Sequence, residues 1–581
     1  MKVRISGSIM AGLLSAAVSV SCTTVPSGKN LAGHGENHEI SAAEQPSHRQ
    51  PVPADQLVPG AQPAARLQNL GIHTFPVSTQ DKQAQLYINQ GLNLVYGFNH
   101  AEAGHAFEEA AKLDPRLAIA YWGQALALGP NINAPMNPAD EPRALELIKQ
   151  AESFITSASP REQALIRALK QRYSGAAENR KANDKAYADA MREVHHNFPD
   201  DSDIALLYVE SVMDLRPWNY WMRDGRPYEG TDEIVAATET VLRNHPTHPG
   251  ALHMYIHLME PTNMPERAER AADTLMTLMP DAGHMVHMSS HIFQRVGRYA
   301  DAVKSNQLAI AADERYIDHS HTHGLYPMVY YPHNVHFLWF SATAGGQRAL
   351  ALESARKAAG MVDDALLREM PITALFRVTP YWALARFGQW QEILAEPAPP
   401  AFNAFLKGSW HYVRGLAFVA TKQLPRAEKE LQQLRRIMKN HAALSGTLLS
   451  RNTTGDILRI APEVLAGEIA AARKKYDSAI AHLERAVRLE DSLAYTEPAE
   501  WHYPPRLALG AILLEAGRPD EAETVYWEDL KRNRDNGWAL FGLLQALRAQ
   551  NKTADAEVIR ARFDKAWKQA DITLTASRFG Q

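Results

Sequence analysis

From residue 79 onward, apolar positions recur with the period of an amphipathic helix, and short breaks carrying Pro, Gly or Asp separate the periodic segments. AEAGHAFEEAAKLDP (101–115) runs into AYWGQALALGP, YDSAIAHLERAVRLED occupies 476–491, and RPDEAETVYWEDLKRN leads into GWALFGLLQAL. The pattern predicts an all-α chain of helix pairs, each with an apolar face that it cannot bury alone, so that neighbouring pairs must stack. Residues 23–78 lack this period and are rich in Pro, Gly, Ser, Ala and Gln, which predicts a flexible linker. DLRPWNYWMRDGRPYEG (214–230) holds Pro217, Gly225, Pro227 and Gly230, so it breaks the helical run and predicts an insertion across one face. Residues 203–232 and 361–400 fit the repeating pattern poorly.

The spacing of Trp/Leu-Gly, Ala and Pro resembles the tetratricopeptide repeat. Gly123, Gly415, Gly510 and Gly542 match the small residue where two helices of a repeat touch, and Ala103, Ala268, Ala302, Ala427, Ala479 and Ala522 match the small residue of the second helix. Pro115, Pro246 and Pro280 match the closing proline. The resemblance implies a right-handed superhelical α-solenoid over 79–575. Its concave wall would come from the first helix of each pair, with the second, fifth and ninth residues of each repeat facing the groove.

That register gives meaning to a concentration of histidines. Counting back from Ala302, a repeat begins near Gly283 and sets His284, His287 and His291 on groove positions. Counting back from Ala268, the preceding repeat begins near Pro249 and sets His253 and His257 there, with Glu260 one turn further. The following repeat begins near Pro332 and adds His333 and His336. Side chains three or four residues apart share a helix face, and packed helices lie about 8–10 Å apart, so these imidazoles can converge on a metal. Neutral imidazole suits zinc and copper, and the set is large enough for two metals or for one with a histidine second shell. His253, His257, His287 and His291 lead the expected ligand set, His284, His333 and His336 follow, and Glu260 is ligand or general base. Met254, Met285 and Met288 alternate with the histidines, a mixture that would suit copper, but they fall beside the groove positions and are expected in the core. His319, His321 and His323 form a HSHTH loop that reads equally as a metal-recruiting lid or a solvated turn. Asn131, Asn133, Glu210, Asp214, Trp218, Tyr330, Tyr331 and the run from Glu500 to Tyr503 are further polar or aromatic candidates for the cavity wall. The phrases HMxxHIFxRVGRY and YYPHNVHF also resemble those of a His-rich group of bacterial repeat proteins, a resemblance that brings no reaction with it.

Composition narrows the rest. Lys plus Arg number 61 against 65 for Asp plus Glu, which offers no electrostatic footprint for nucleic acid. Residues 1–22 combine Lys2 and Arg4 with a short apolar run of small residues, the form of a secretory signal. Cys22, the single cysteine, resembles a lipoprotein cleavage site, although Ser19 stands where that family carries Leu. The resemblance implies lipidation at Cys22, a periplasmic and outer-membrane setting, and membrane contact only through the anchor. One cysteine also excludes intrachain disulfides and thiolate metal clusters. No H-E-x-x-H, G-x-S-x-G or Walker loop occurs, so any chemistry depends on residues assembled in space. The expected function is an exported metal-binding solenoid, a hydrolytic or oxidative metalloenzyme acting on a small molecule or peptide in the groove. The alternative is a metal-free scaffold whose groove binds a peptide or an envelope protein partner.

Overall fold

The computed structural model describes residues 67, 69–320, 326–447 and 451–579. The signal segment, Cys22, the first part of the linker, and His321 and His323 of the HSHTH loop lie outside the described residues, as does the side chain of His319. Everything described falls in one packed unit, Gln62–Gln581. Among the described residues there is no strand beyond isolated bridges such as Trp221 with Pro227, and the fold is an all-α solenoid. Consecutive helices joined by short turns pack on each other, as Lys82–Tyr96 does on His100–Leu113 and Gly283–Arg295 on Tyr299–Ser320. No helix among the described residues is long and apolar enough to cross a membrane.

Small residues set the pairing distance. The ring of Phe107 fills the space between Gly91 and Gly123, and a Cβ at Gly91 would stand 2.7 Å from that ring. Tyr526 occupies the same relation to Gly510 and Gly542. Local chemistry marks the ends: Asp81 accepts from the amides of Gln83 and Ala84, and Ser159 with Glu162 forms a capping box.

Three first helices carry the histidines: Pro249–Met259, Gly283–Arg295 and Tyr331–Ala344. Their second helices are Glu269–Leu278, Tyr299–Ser320 and Arg348–Gly360. Every residue of Pro249–Met259 is buried, because flanking helices, its own partner and the inserted segments all cover it. Met254, Met285 and Met288 are core residues, as their register implies. The helix starts sharply, with Pro249 in its first turn and the His248 ring accepting from the Ala251 amide.

Two segments depart from regular repeats. The 214–230 stretch is non-helical, and its Trp218 and Trp221 indoles donate to the carbonyls of Ile132 and Leu258, at 3.0 and 2.7 Å. Residues 361–400 break into short helices, Asp364–Glu369, Ala374–Arg377, Thr379–Arg386 and Trp390–Ala395. The expectation of a flexible linker up to residue 78 is corrected for its last part. Phe75 is buried, its amide donates to Asn89 Oδ1, and Ser78 donates to both oxygens of Glu162. Leu70, Phe75 and Val77, with a few polar residues and without any period, dock this segment onto neighbouring helices.

Buried apolar side chains form two cores, one containing residues from Leu70 to Tyr330, the other residues from Val303 to Phe579. The histidine helices lie where the first gives way to the second.

Candidate metal centre

Six of the seven histidines gather in two triads. The ligand atoms of His253, His257 and His284 lie within 4.8 Å of one another, as do those of His287, His291 and His333. The seventh does not join them. His336 stacks on Trp339 at 5.2 Å and meets the edge of Phe376 at 5.6 Å, facing the second core. Residues three apart on a helix differ in direction by roughly 60°, enough for His333 to face the preceding helix while His336 faces the following one.

Inside the triads hydrogen bonds to fixed acceptors set the tautomers of His253 and His287. His253 Nδ1 lies 2.5 Å from the Tyr96 carbonyl, which can only accept, so Nδ1 carries the proton and Nε2 presents a lone pair. Asn306 donates through Nδ2 to the Ala302 carbonyl, leaving its Oδ1 to accept from His287 Nδ1 at 2.7 Å. His287 Nε2 is therefore also a lone pair. His257 Nδ1 lies 2.8 Å from Glu260 Oε1, and His291 Nδ1 lies 2.6 Å from Glu260 Oε2 and also meets Glu497 Oε2, so these two rings present Nε2 lone pairs where the carboxyl oxygens accept. The free nitrogens then face one another in pairs: His253 Nε2 to His257 Nε2 at 3.1 Å, and His291 Nε2 to His287 Nε2 at 2.9 Å. Ligands held roughly 2.0–2.1 Å from one ion at angles between 90° and 109° stand about 2.9–3.4 Å apart. Both spacings fall in that window.

His284 adds to this. It is buried, and neither ring nitrogen has a hydrogen-bond partner among the described residues. Aromatic rings pack the assembly, with Phe98 at 4.5 Å from His253 and Phe337 at 4.6 and 4.4 Å from His287 and His291. Burial drives the imidazoles toward their neutral form: His253 falls to about 4, and His257, His284, His287 and His333 drop well below the usual histidine value, neighbouring histidines adding to the effect.

Glu260 is fully buried beside Glu497, and burial followed by the neighbouring carboxylate pushes its pKa far up. Two carboxyl groups so placed cannot both ionise, and one proton shared between them leaves Glu497 to accept from His291. Arg295 anchors the Glu260 backbone: its guanidinium donates to the Glu260 carbonyl at 2.9 Å and the Thr262 carbonyl at 3.0 Å, and lies over the Tyr495 ring.

A cavity of about 600 Å³ opens against the cluster. His257, His284, His291 and His333 form part of its wall with Glu497, while Asn131, Asn133, Asp214, Trp218 and Tyr330 stand among the other lining residues. These five were legible candidates. Others point elsewhere: Tyr331 donates to Glu314, Glu500 accepts from Asn452, and His502 stacks on Trp382. Glu497, Asn306, Arg295 and the Tyr96 carbonyl escape the sequence pattern. Asn306 alone left a signal, as an amide inside a helix whose neighbours Ala302 and Ile310 are core.

A separate cluster, His73, Asp203 and His248, sets a carboxylate between two imidazoles. His248 Nδ1 accepts from the Ala251 amide, so its proton sits on Nε2, 3.3 Å from Asp203 Oδ1. That oxygen accepts from Tyr96 OH and from His73 Nε2, both at 2.8 Å, while His248 Nε2 makes no hydrogen bond among the described residues. That carboxylate is satisfied by hydrogen bonds, and the cluster ties the docked 69–78 segment to the fold.

No protein-family description matches the chain, and no curated protein does. Among solved structures it is similar to the human IFIT1 dimer with PPP-AAAA, at 15% identity over 85% of this chain and 96% of that one, with a TM-score of 0.33. It is also similar to the APC/C hetero-tetramer Cut9-Hcn1, at 13% identity, 80% and 76% coverage and a TM-score of 0.28. Yeast Tom70 gives 12% identity, 83% and 90% coverage and a TM-score of 0.26. Likenesses this distant carry no argument about the histidines. The fold rests on the helices themselves, an all-α array in which consecutive helices pack on one another.

Proposed function

We propose that this protein binds a transition metal, zinc or copper, through the histidines of its first helices and acts as a metalloenzyme on a small molecule held in the adjoining cavity. The observation that carries the reading is the facing of imidazole Nε2 atoms at 2.9 and 3.1 Å, with the His253 and His287 tautomers set by acceptors on the far side of the ring and the Glu260 and Glu497 carboxyl pair behind His257 and His291. Two lone pairs at that separation repel unless a cation lies between them. A metal satisfies both, and the Nδ1 acceptors are what metal-bound histidines ordinarily have behind them.

A metal held by imidazoles with a position open to the cavity can polarise a bound water or a substrate oxygen, which supports hydrolysis, and copper there would support oxidation instead. Glu497 lies on the cavity wall and Glu260 just behind it, so the carboxyl pair is the local store for a proton. With Cys22 lipidated, the enzyme would work in the periplasm on an outer-membrane anchor.

Elemental analysis of the untagged full chain tests the reading. Stoichiometric metal that is lost in His287→Ala/His291→Ala is expected. A metal-free chain, unable to take up zinc or copper after reconstitution, would overturn it and leave the groove as a surface for a peptide or protein.

A further inference from the structure

Resting on that reading, we infer that the centre is dinuclear, with one ion in the His253, His257 and His284 triad and a second in the His287, His291 and His333 triad.

The inference follows from counting the nitrogens that need a partner. His253 and His257 use one face-to-face pair of Nε2 atoms, and His287 and His291 use another. No nitrogen is shared between the pairs. Each pair is completed by one further imidazole, His284 for the first and His333 for the second, both within 4.8 Å of their partners' ligand atoms. The triads abut: His284 and His287 rings lie 6.0 Å apart, His257 and His291 rings 5.9 Å.

A single ion could be held another way. His257, Glu260 and Glu497 also lie close enough to bind one ion, with His291 beside the two carboxylates. In that arrangement His257 and His291 would ligate through Nδ1 and donate through Nε2 to His253 and His287. It leaves His284, buried with two unpartnered ring nitrogens, without a role. A buried polar group without a partner is destabilising, and the central arrangement leaves both His284 nitrogens in that state. The two-ion arrangement gives His284 a bond and leaves Glu260 and Glu497 behind the rings, where carboxylates orient metal-bound histidines.

The ligand set of both ions is then imidazole alone. This selects zinc or copper over magnesium, calcium and manganese, which take oxygen ligands. His253 and His287 do not line the cavity, whereas His257, His284, His291 and His333 do. Each ion therefore has an inner ligand away from the cavity and an open side toward it, and a small ligand in the cavity meets both.

The experiment is titration of the chelated, untagged full chain with zinc and, anaerobically, with copper(I), read by elemental analysis after desalting. Two equivalents of one of these metals are expected for the native chain, one for His284→Gln, one for His333→Gln and two for His336→Gln. Anomalous scattering from crystals of the metal-loaded native chain should show two peaks, a readout that needs no variant to fold. One equivalent and one peak for the native chain, with His284→Gln unchanged, would overturn the dinuclear inference and leave the proposed metal function standing. No bound metal would remove both.

Discussion

Asn306 and the Tyr96 carbonyl never face the cavity, yet they decide what His287 and His253 can do there. Each accepts a hydrogen bond from Nδ1–H, which keeps the proton there and turns an Nε2 lone pair inward. If the centre binds metal, Asn306→Leu removes that acceptor while keeping a similar side-chain volume, and affinity should fall by about 10–100-fold. Competition against a chelator of known affinity measures it, and an affinity within a factor of about two of the native value would show that the tautomer does not matter. At this scale the sequence was partly readable. Histidines spaced by three and four declare a shared face, which is why His253, His257, His284, His287 and His291 could be placed together from their register. The acceptors behind them could not. A backbone carbonyl has no side-chain signature, and Glu497 lies 206 residues from the His291 it contacts.

At the scale of elements, the glycine and aromatic residues that hold helix pairs together recur at one interval, Gly91, Phe107 and Gly123 near one end and Gly510, Tyr526 and Gly542 near the other. Gly123→Ala or Gly542→Ala forces a methyl into a ring, and overpacking of this kind costs about 1–3 kcal/mol. Denaturant unfolding reads that loss, and an unchanged midpoint would mean that the helices separate freely. The same repeat register located the histidine helices. It misplaced His336 because it treats a groove as one face, whereas a helix in the stack meets a different neighbour on each flank. A polar knot joins two of these helices. Asp313 receives Tyr326 OH at 2.8 Å and Asn334 Nδ2 at 2.6 Å, and burial pushes its pKa up to about 7. The folded state thus holds a proton that the unfolded chain releases near pH 4. The stabilisation is full below about pH 4 and is lost as pH rises toward about 7. The buried neutral histidines tilt both chains the other way over this range, so the readout is the difference: between those values the melting temperature of Asp313→Asn should rise relative to that of the native chain as pH rises. Parallel curves would show that Asp313 is ionised in the fold.

The whole molecule closes the site from a distance. The segment leading to Tyr495 and Glu497 reaches the first core from the second; Arg295 lies over its Tyr495 ring and donates to the Arg532 carbonyl at the end of Pro519–Arg532. Arg534 adds contacts to Glu266 and the Asn263 carbonyl. This closure was illegible in the sequence, because a period of helices specifies nearest neighbours and says nothing about which loop returns to which pair. It has an energetic consequence. A ligand that binds only the folded state stabilises it by about 2.7 kcal/mol when present at a hundred times its dissociation constant. If the histidines hold metal, that stabilisation enters where the two cores meet, and through His291 it reaches Glu497 as well as the helices. Removing the metal should therefore raise amide hydrogen exchange in 493–503 and in Pro249–Met259 and Gly283–Arg295, while Gly537–Ala549, packed around Tyr526, keeps its protection. Exchange that rises only in the histidine helices would show that the Glu497 loop is held without the metal, by Arg295 over Tyr495 and by Asn452 bonded to Ala494 and Glu500. A rise spread evenly over the chain would show instead that the metal stabilises the fold globally, with no particular part for this closure.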